Sequence, residues 1–258
     1  MGQPSPGELR DFALTLADAA DAITLDFFGG QVAADTKTDG SPVTAADRAV
    51  ESALRERIAV DYPDHAILGE EEGGEIDGGV PTWVIDPIDA TKNFMRGLPV
   101  YATLIGLVRD GTAMVGVASA PAMGERWEAA SGLGARRNGE PVSVSAVARV
   151  EDAHVCHGGL RAFRDIADGW GKLAAIADRA WRTRGFGDFW MHLLVAGGMA
   201  DIAFEPELSP WDVAALACIV PEAGGRITAW DGGDPLIAGS SALSTNAVLH
   251  ETSMSLLK

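Results

Sequence analysis

The sequence predicts a layered fold of mixed α/β type in two halves, on three observations. Residues 7–28 carry apolar side chains at helical spacing, residues 101–130 alternate like antiparallel strands, and beyond about residue 150 strands and helices take turns. The halves are expected at 1–148 and 149–258, with the pattern changing in the stretch 145–155. A chain of 258 residues is long enough for two closely packed halves with a shared core.

The opening helix is expected from about Pro6 to Phe28, before a polar stretch from Asp35 to Pro42. Thr44 suits the N-cap of a second helix reaching about Ala59, with Asp47 three residues on, near the capping-box position. Ala66-Ile67-Leu68 and Trp83-Val84-Ile85 read as short buried strands that run straight into acidic residues. Strands at 103–108 and 114–118 flank Arg109-Asp110-Gly111-Thr112, whose Asp-Gly is a hairpin signal, and a third strand follows at 126–130. Later come a strand at 153–156, one helix over 162–179, a strand at 180–184 and a helix from about Phe189. A strand at 200–205 and a helix at 211–223 stopped by Gly224-Gly225 follow. Strands at 227–229 and 242–245 and a last helix from about Ala247 complete the reading.

Composition narrows the function classes. Hydrophobic residues are 47% and charged residues 22%, as in an ordinary globular enzyme. Twenty Lys and Arg against 37 Asp and Glu give a net charge of −17. Such a surface repels nucleic acid and anionic membrane, whose binding rests on Lys and Arg neutralising phosphates. A small phosphorylated metabolite remains compatible if metal ions supply positive charge. Cys156 and Cys218 stand far apart and in no metal or redox spacing, so reduced, buried thiols are expected. Residues 7–28 show no basic start, long apolar run and cleavage site in succession, and no run of 18 apolar residues occurs. A cytoplasmic protein is the expectation.

Three places put carboxylates directly after apolar strands or at a helix start: Gly69-Glu70-Glu71-Glu72-Gly73, the run Asp86-Pro87-Ile88-Asp89-Ala90-Thr91-Lys92-Asn93-Phe94, and Ser209-Pro210-Trp211-Asp212-Val213-Ala214-Ala215. Each alone has an ordinary reading: a solvated acidic face, a turn with an N-cap, an N-cap. Together they place mutually repelling carboxylates where only cations make the arrangement favourable. Hard oxygen ligands of this kind suit Mg²⁺ or Mn²⁺. A pair of such ions activates water and stabilises a leaving oxygen.

These three motifs resemble the signatures of the inositol monophosphatase family. Ser41-Pro42-Val43-Thr44-Ala45-Ala46-Asp47 resembles its upstream motif and Glu222-Ala223-Gly224-Gly225 its downstream one. The resemblance spans nearly the whole chain. It implies a layered αβαβα sandwich of the inositol monophosphatase / fructose-1,6-bisphosphatase type, a homodimer, and Mg²⁺-dependent, Li⁺-sensitive hydrolysis of phosphate esters. By that resemblance Glu70, Asp86 and the carbonyl of Ile88 bind the first metal, and Asp86, Asp89 and Asp212 the second. Glu70 helps hold a third. Thr91 and Asp47 act with Glu70 on the attacking water, and the N–H groups of Ala90 and Thr91 receive the phosphate at a helix start. The family usually has Gly at the position of Ala90; a helical φ there is expected, which keeps the N–H without strain.

Substrate choice is expected from Arg184, Asp188 and Glu205, with a surface salt bridge and an N-cap as the plain alternatives for the first two. Lys92 to Pro99 and Arg182 to Phe189 resemble the histidinol-phosphate phosphatases of the family, and an acidic rim suits a cationic substrate. The alternatives are inositol 1-phosphate or a broader set of sugar phosphates, then phosphoadenosine nucleotides. A catalytically weak metal-binding scaffold, suggested by Ala90, comes last.

Overall fold

In the computed structural model, which describes residues 4–30, 34–36, 42–76, 78–237 and 239–257, the chain starts with α1 (Pro6–Phe27). Ser5 and Glu8 close a capping box at its N-terminus. A small ladder of β1 (Ala34–Thr36) and β2 (Pro42–Thr44) leads into α2 (Ala45–Asp61). The expected Thr44–Asp47 capping box is present. Residues 37–41 of the polar stretch, Ser41 among them, lie outside the described residues.

A seven-stranded sheet follows: β3 (Ala66–Gly69), β4 (Thr82–Asp89), β5 (Ala102–Arg109), β6 (Thr112–Ala120), β7 (Glu125–Ala130), β8 (Ala135–Arg137) and β9 (Glu140–Pro141), in that spatial order. Only the β3–β4 pair is parallel. Asp110 and Gly111 turn the β5–β6 hairpin with φ of 51° and 73°, as a turn matched to strand twist requires. The short strands β8 and β9 escape sequence reading because Arg136, Arg137 and Glu140 give them no apolar alternation.

The remainder builds a five-stranded sheet in the order β11-β10-β12-β14-β13, from β10 (His154–His157), β11 (Arg182–Arg184), β12 (Ile202–Leu208), β13 (Arg226–Thr228) and β14 (Ser240–Thr245). Its helices are α4 (Leu160–Asp165), α5 (Gly169–Ala177), α6 (Asp188–Ala196), α7 (Pro210–Val213), α8 (Leu216–Glu222) and α9 (His250–Leu256); the five-residue α3 (Thr91–Met95) belongs to the first sheet's edge of the site. The single helix expected over 162–179 is instead α4 and α5. Ile166 leaves the helix extended and Asp168 adopts φ 51°. This lets Gly169 press within a Cβ's reach of the Phe163 carbonyl.

Side-chain alternation sorts these elements into layers. Trp83, Ile85, Ile105, Leu107, Val115 and Val117 face α1 and α2. Val84, Leu104 and Ala118 point the other way, packing with Phe189 and Leu193 of α6 and with Leu216, Ile219 and Val220 of α8. Beyond the second sheet, Val155, Ile202, Phe204 and Leu243 meet Phe163 of α4, Ile176 of α5, Met254 of α9 and Leu257 just past its end. The order is helix, sheet, helix, sheet, helix, as expected. No helix among the described residues is long and apolar enough to cross a membrane.

Candidate active site

Asp86 and Asp89 stand three apart on one strand, so a regular pleat would send them to opposite faces. The β4–β5 register prevents this. Asp86 pairs with Leu104 and Asp89 with Ala102, so β4 carries one residue more than its partner between them. This bulge falls at Pro87-Ile88, and Pro87 lacks an N–H to lose from the ladder. Asp86 Oδ1 accepts from Ile88 N at 3.0 Å, and Thr103 Oγ1 donates to the Pro87 carbonyl at 2.7 Å, which holds the bulge in shape.

Asp212 arrives from the other end of the chain. At the N-terminus of α7 its Oδ2 accepts from Ser209 N at 2.7 Å in a capping box. The following Ala214-Ala215 lies against Gly106 and Gly116, a cross-strand pair on β5 and β6. A Cβ on Gly106 would stand 2.8 Å from Ala214 Cβ, and one on Gly116 would stand 2.2 Å from the Ala215 carbonyl oxygen. Two side-chain-free positions thus let the helix start approach the sheet closely enough to bring Asp212 over Asp86 and Asp89. One oxygen from each of the three carboxylates lies within 4.8 Å of the others.

Glu70 is placed by a residue the sequence reading did not single out. Glu51, on α2 and wholly buried, accepts from Glu71 N at 2.8 Å and Glu72 N at 3.0 Å. Arg55 Nε donates to it at 2.8 Å. The Gly69 Cα fits against the Glu51 carboxylate, where an added Cβ would be 2.0 Å from Oε1. The acidic run is therefore a turn clasped by a buried carboxylate, and Glu70 faces the cluster. Its mark in the sequence is a Glu at an apolar position of α2.

Electrostatics agree with a cation site. Burial first, then Glu70, Asp89 and Asp212, push the Asp86 carboxyl well above the usual range. Burial, Asp188 and Asp212 do the same for Asp89, and burial chiefly raises Asp212 to about 7. Backbone N–H groups donate to these carboxylates, Ile88 to Asp86, Ala90 and Phe189 to Asp89, and Ser209 to Asp212. A cluster that repels itself, offers hard oxygens and keeps lone pairs toward a cleft fits divalent cations.

A cleft of about 690 Å³ opens over the cluster. Of the residues expected at the site, Glu70, Asp89, Ala90, Thr91, Asp188, Glu205 and Asp212 line it. Asp86, Ile88 and Asp47 are buried beneath. Thr91 Oγ1 donates to the Ile88 carbonyl at 3.0 Å. Asp47 gives Oδ2 to its capping box, while its Oδ1 is buried without a partner; burial is the main cause of its raised pKa, with Glu70 adding to it.

Two expectations need correction. Ala90 is not helical: φ 66° and ψ 44° put it in the left-handed region. The left-handed turn aims Ala90 N at Asp89 Oδ1, 3.0 Å away, while Ala90 O accepts from Asn93 N and Phe94 N to start α3. Arg184 does not reach the cleft. It lies exposed on the edge strand β11, its Nη1 bonded to the Thr183 carbonyl, and the neighbouring Gly185 lines the cleft instead. Asp188 is not the N-cap of α6, a place Gly187 takes; its carboxyl is raised by burial and held down by Lys92. Glu205 is pushed up to about 8 by burial, Asp188 and Asp212. Lys92, His192 and Phe186 are cleft residues that no sequence motif assigned a role. The remaining motif is structural: Glu222 accepts from Gly132 N and Gly134 N, both at 2.8 Å, tying α8 to the β7–β8 turn.

The model of the inositol monophosphatase family matches residues 6–258. The histidinol-phosphatase of Mycobacterium tuberculosis is 45% identical, over 93% of this chain and 94% of its own. That of Streptomyces coelicolor is 42% identical, over 95% and 96%. Among solved structures, an inositol monophosphatase from Zymomonas mobilis superposes with a TM-score of 0.87 at 29% identity, covering 99% of both chains.

Proposed function

This chain belongs to the inositol monophosphatase family, and from that membership we propose that it hydrolyses histidinol phosphate to histidinol and inorganic phosphate. The observation that carries the substrate is the 45% identity, over nearly all of both chains, to a histidinol-phosphatase. The cleft adds chemical support: Asp188, Glu205 and Glu207 also line it, so a cationic alcohol finds acceptors there that neutral inositol does not need.

In this reading Glu70, Asp86, the Ile88 carbonyl, Asp89 and Asp212 hold two or three Mg²⁺, with Mn²⁺ as a substitute. Bound there, the cations supply the positive charge that draws in a phosphate dianion and acidifies the attacking water. The N–H of Thr91 takes a phosphate oxygen, while that of Ala90 donates to Asp89 Oδ1 and holds this carboxylate in place. Thr91 orients the water, Glu70 receives its proton, and Asp47 bears on Glu70 from behind. The water oxygen bonds to phosphorus in line with the leaving alkoxide, the bond to the alcohol breaks, and the alkoxide takes up a proton. No protein nucleophile is needed, and the two cysteines, both buried and raised to about 12, offer none. A cytoplasmic, Li⁺-sensitive homodimer is part of the same proposal; light scattering should give about twice the 26.9 kDa chain mass.

The test is a panel of histidinol phosphate, inositol 1-phosphate, fructose 1,6-bisphosphate and phosphoadenosine phosphate, with Mg²⁺ and with excess chelator. Histidinol phosphate should show the highest kcat/KM, and chelator should abolish turnover. Inositol 1-phosphate turned over tenfold more efficiently would pass the assignment to the runner-up, which the Zymomonas mobilis likeness supports. Phosphate release undiminished by chelator would remove the metal mechanism.

A further inference from the structure

His192 lies one helical turn beyond Asp188 on α6 and lines the cleft, yet only 1% of it is exposed. Its Nδ1 meets Ser244 Oγ at 2.7 Å, while its Nε2 is buried with no hydrogen-bond partner. An orphaned ring nitrogen in a packed interior is costly, so its persistence beside a ligand cleft asks for a ligand. Burial pushes this imidazole down to about 4, so it is neutral at ordinary pH. With the Ser244 hydroxyl donating to Nδ1, the ring's hydrogen sits on Nε2.

A second orphan stands beside it. Glu205 Oε2 is also buried and unpartnered, and Glu205 also lines the cleft. Glu205 pairs in register with Ala242, and Ser244 is two residues further along β14. Glu205 and Ser244 therefore share one face of the second sheet as diagonal neighbours, roughly 7–8 Å apart. His192, seated on Ser244, and Glu205 thus bring a donor and an acceptor to the same cleft. A neutral imidazole presents the complementary pair on its rim, one nitrogen with a hydrogen and one with a lone pair.

We propose that His192, oriented by Ser244, is a specificity-determining residue that donates from Nε2 to the bare ring nitrogen of an imidazole-bearing leaving group, while Glu205 accepts from the ring's N–H. The inference rests on the histidinol phosphate reading. It assigns the choice between substrates to a hydrogen-bond pair that an apolar ring cannot match, the kind of site that rejects its apolar isostere most strongly.

The experiment measures kcat/KM of the Mg²⁺-loaded wild type, His192→Leu, His192→Gln and Ser244→Ala on histidinol phosphate and on phenylalaninol phosphate, which keeps a ring and the ammonium but loses both ring nitrogens. The wild type should prefer histidinol phosphate by at least about 100-fold. In His192→Leu that ratio should fall at least about tenfold. His192→Gln, which restores an N–H donor, should recover part of it, and Ser244→Ala should lie between. Equal falls on both substrates, leaving the ratio as in the wild type, would show that His192 only supports the fold. If His192→Leu does not fold, an unaltered ratio in both His192→Gln and Ser244→Ala overturns the proposal equally. Wild-type preference for inositol 1-phosphate would instead defeat the substrate reading itself, and this inference with it, before any variant is compared.

Discussion

Ala90 carries a side chain where the backbone is left-handed, at φ 66°, a geometry that costs a non-glycine residue about 1–2 kcal/mol. The cost is sustained because the turn is determined from both sides, by Asp89 Oδ1 on its N–H and by the start of α3 on its carbonyl. Ala90→Gly should therefore raise stability by up to about 1 kcal/mol, strain relief exceeding the added freedom of the unfolded chain. Turnover should change less than fivefold, because the N–H that donates to Asp89 Oδ1 is kept when the methyl group goes. Urea unfolding tests the first part, and a destabilised Gly variant would refute it. At the neighbouring Asp89 both oxygens accept backbone N–H groups, from Ala90 at 3.0 Å and Phe189 at 2.7 Å. An Asn there would turn its amide against one donor, so loss of stability would be mixed with loss of charge. Asp212→Asn is the cleaner removal of a charge, since only Oδ2 takes a backbone bond and the amide can face the cleft. It should lose most activity while its unfolding midpoint in chelator stays equal or rises, as one repelling carboxylate is gone; a fully active variant would deny Asp212 its role.

Among the elements, α2 has two functions. Its apolar side packs Val50, Leu54 and Ile58 against the first sheet, and Glu51 clasps the turn that presents Glu70. Glu51→Ala would strip acceptors from two N–H groups and from Arg55, at a cost of about 2–3 kcal/mol. It should also raise the Mg²⁺ concentration needed for half-saturation, measured by calorimetry without substrate. Unchanged stability together with unchanged Mg²⁺ affinity would show that the clasp is dispensable. The β4 bulge and the glycine pair under α7 work similarly: each alters backbone spacing by one small step, and each step moves a carboxylate into range of the others.

For the molecule as a whole, the acidic centre sets how stability responds to pH. Asp212 is raised to about 7 and Glu205 to about 8, from ordinary values of 3.8 and 4.5. A carboxyl whose folded pKa lies above its unfolded one binds its proton more tightly when folded, so folding is favoured as pH falls. Without metal these groups should therefore take stability away as pH rises from about 4, through both raised values, to about 8. A divalent cation binds the ionised form and stabilises by mass action, so Mg²⁺ should raise Tm more at pH 8 than at pH 5. Calorimetric scans at both pH values, with Mg²⁺ and with chelator, make the comparison. An equal Mg²⁺ shift at the two values would contradict a site that titrates in this window.

The amino-acid sequence by itself determined where the carboxylates stand, because strand ends, capping boxes and turn residues are local patterns whose chemistry is complete within a few residues. Thr44 with Asp47, Asp110-Gly111 and the run from Asp86 to Asn93 are of this kind. Tertiary structure alone decided what depends on partners far along the chain. Asp89 is held by Phe189, Asp212 is admitted by Gly106 and Gly116, and His192 is oriented by Ser244. Nearby contacts overrode propensity at Ala90, whose turn is bonded at both ends by Asp89, Asn93 and Phe94, and at Asp168, where the close approach of Gly169 to Phe163 splits a helix in two. Arg184 faces outward because β11 is a sheet edge, a position set by strand order and not by any residue next to it. A propensity is worth tenths of a kilocalorie per residue, and a buried hydrogen bond or a close backbone contact is worth more; where the two disagreed, the contact prevailed.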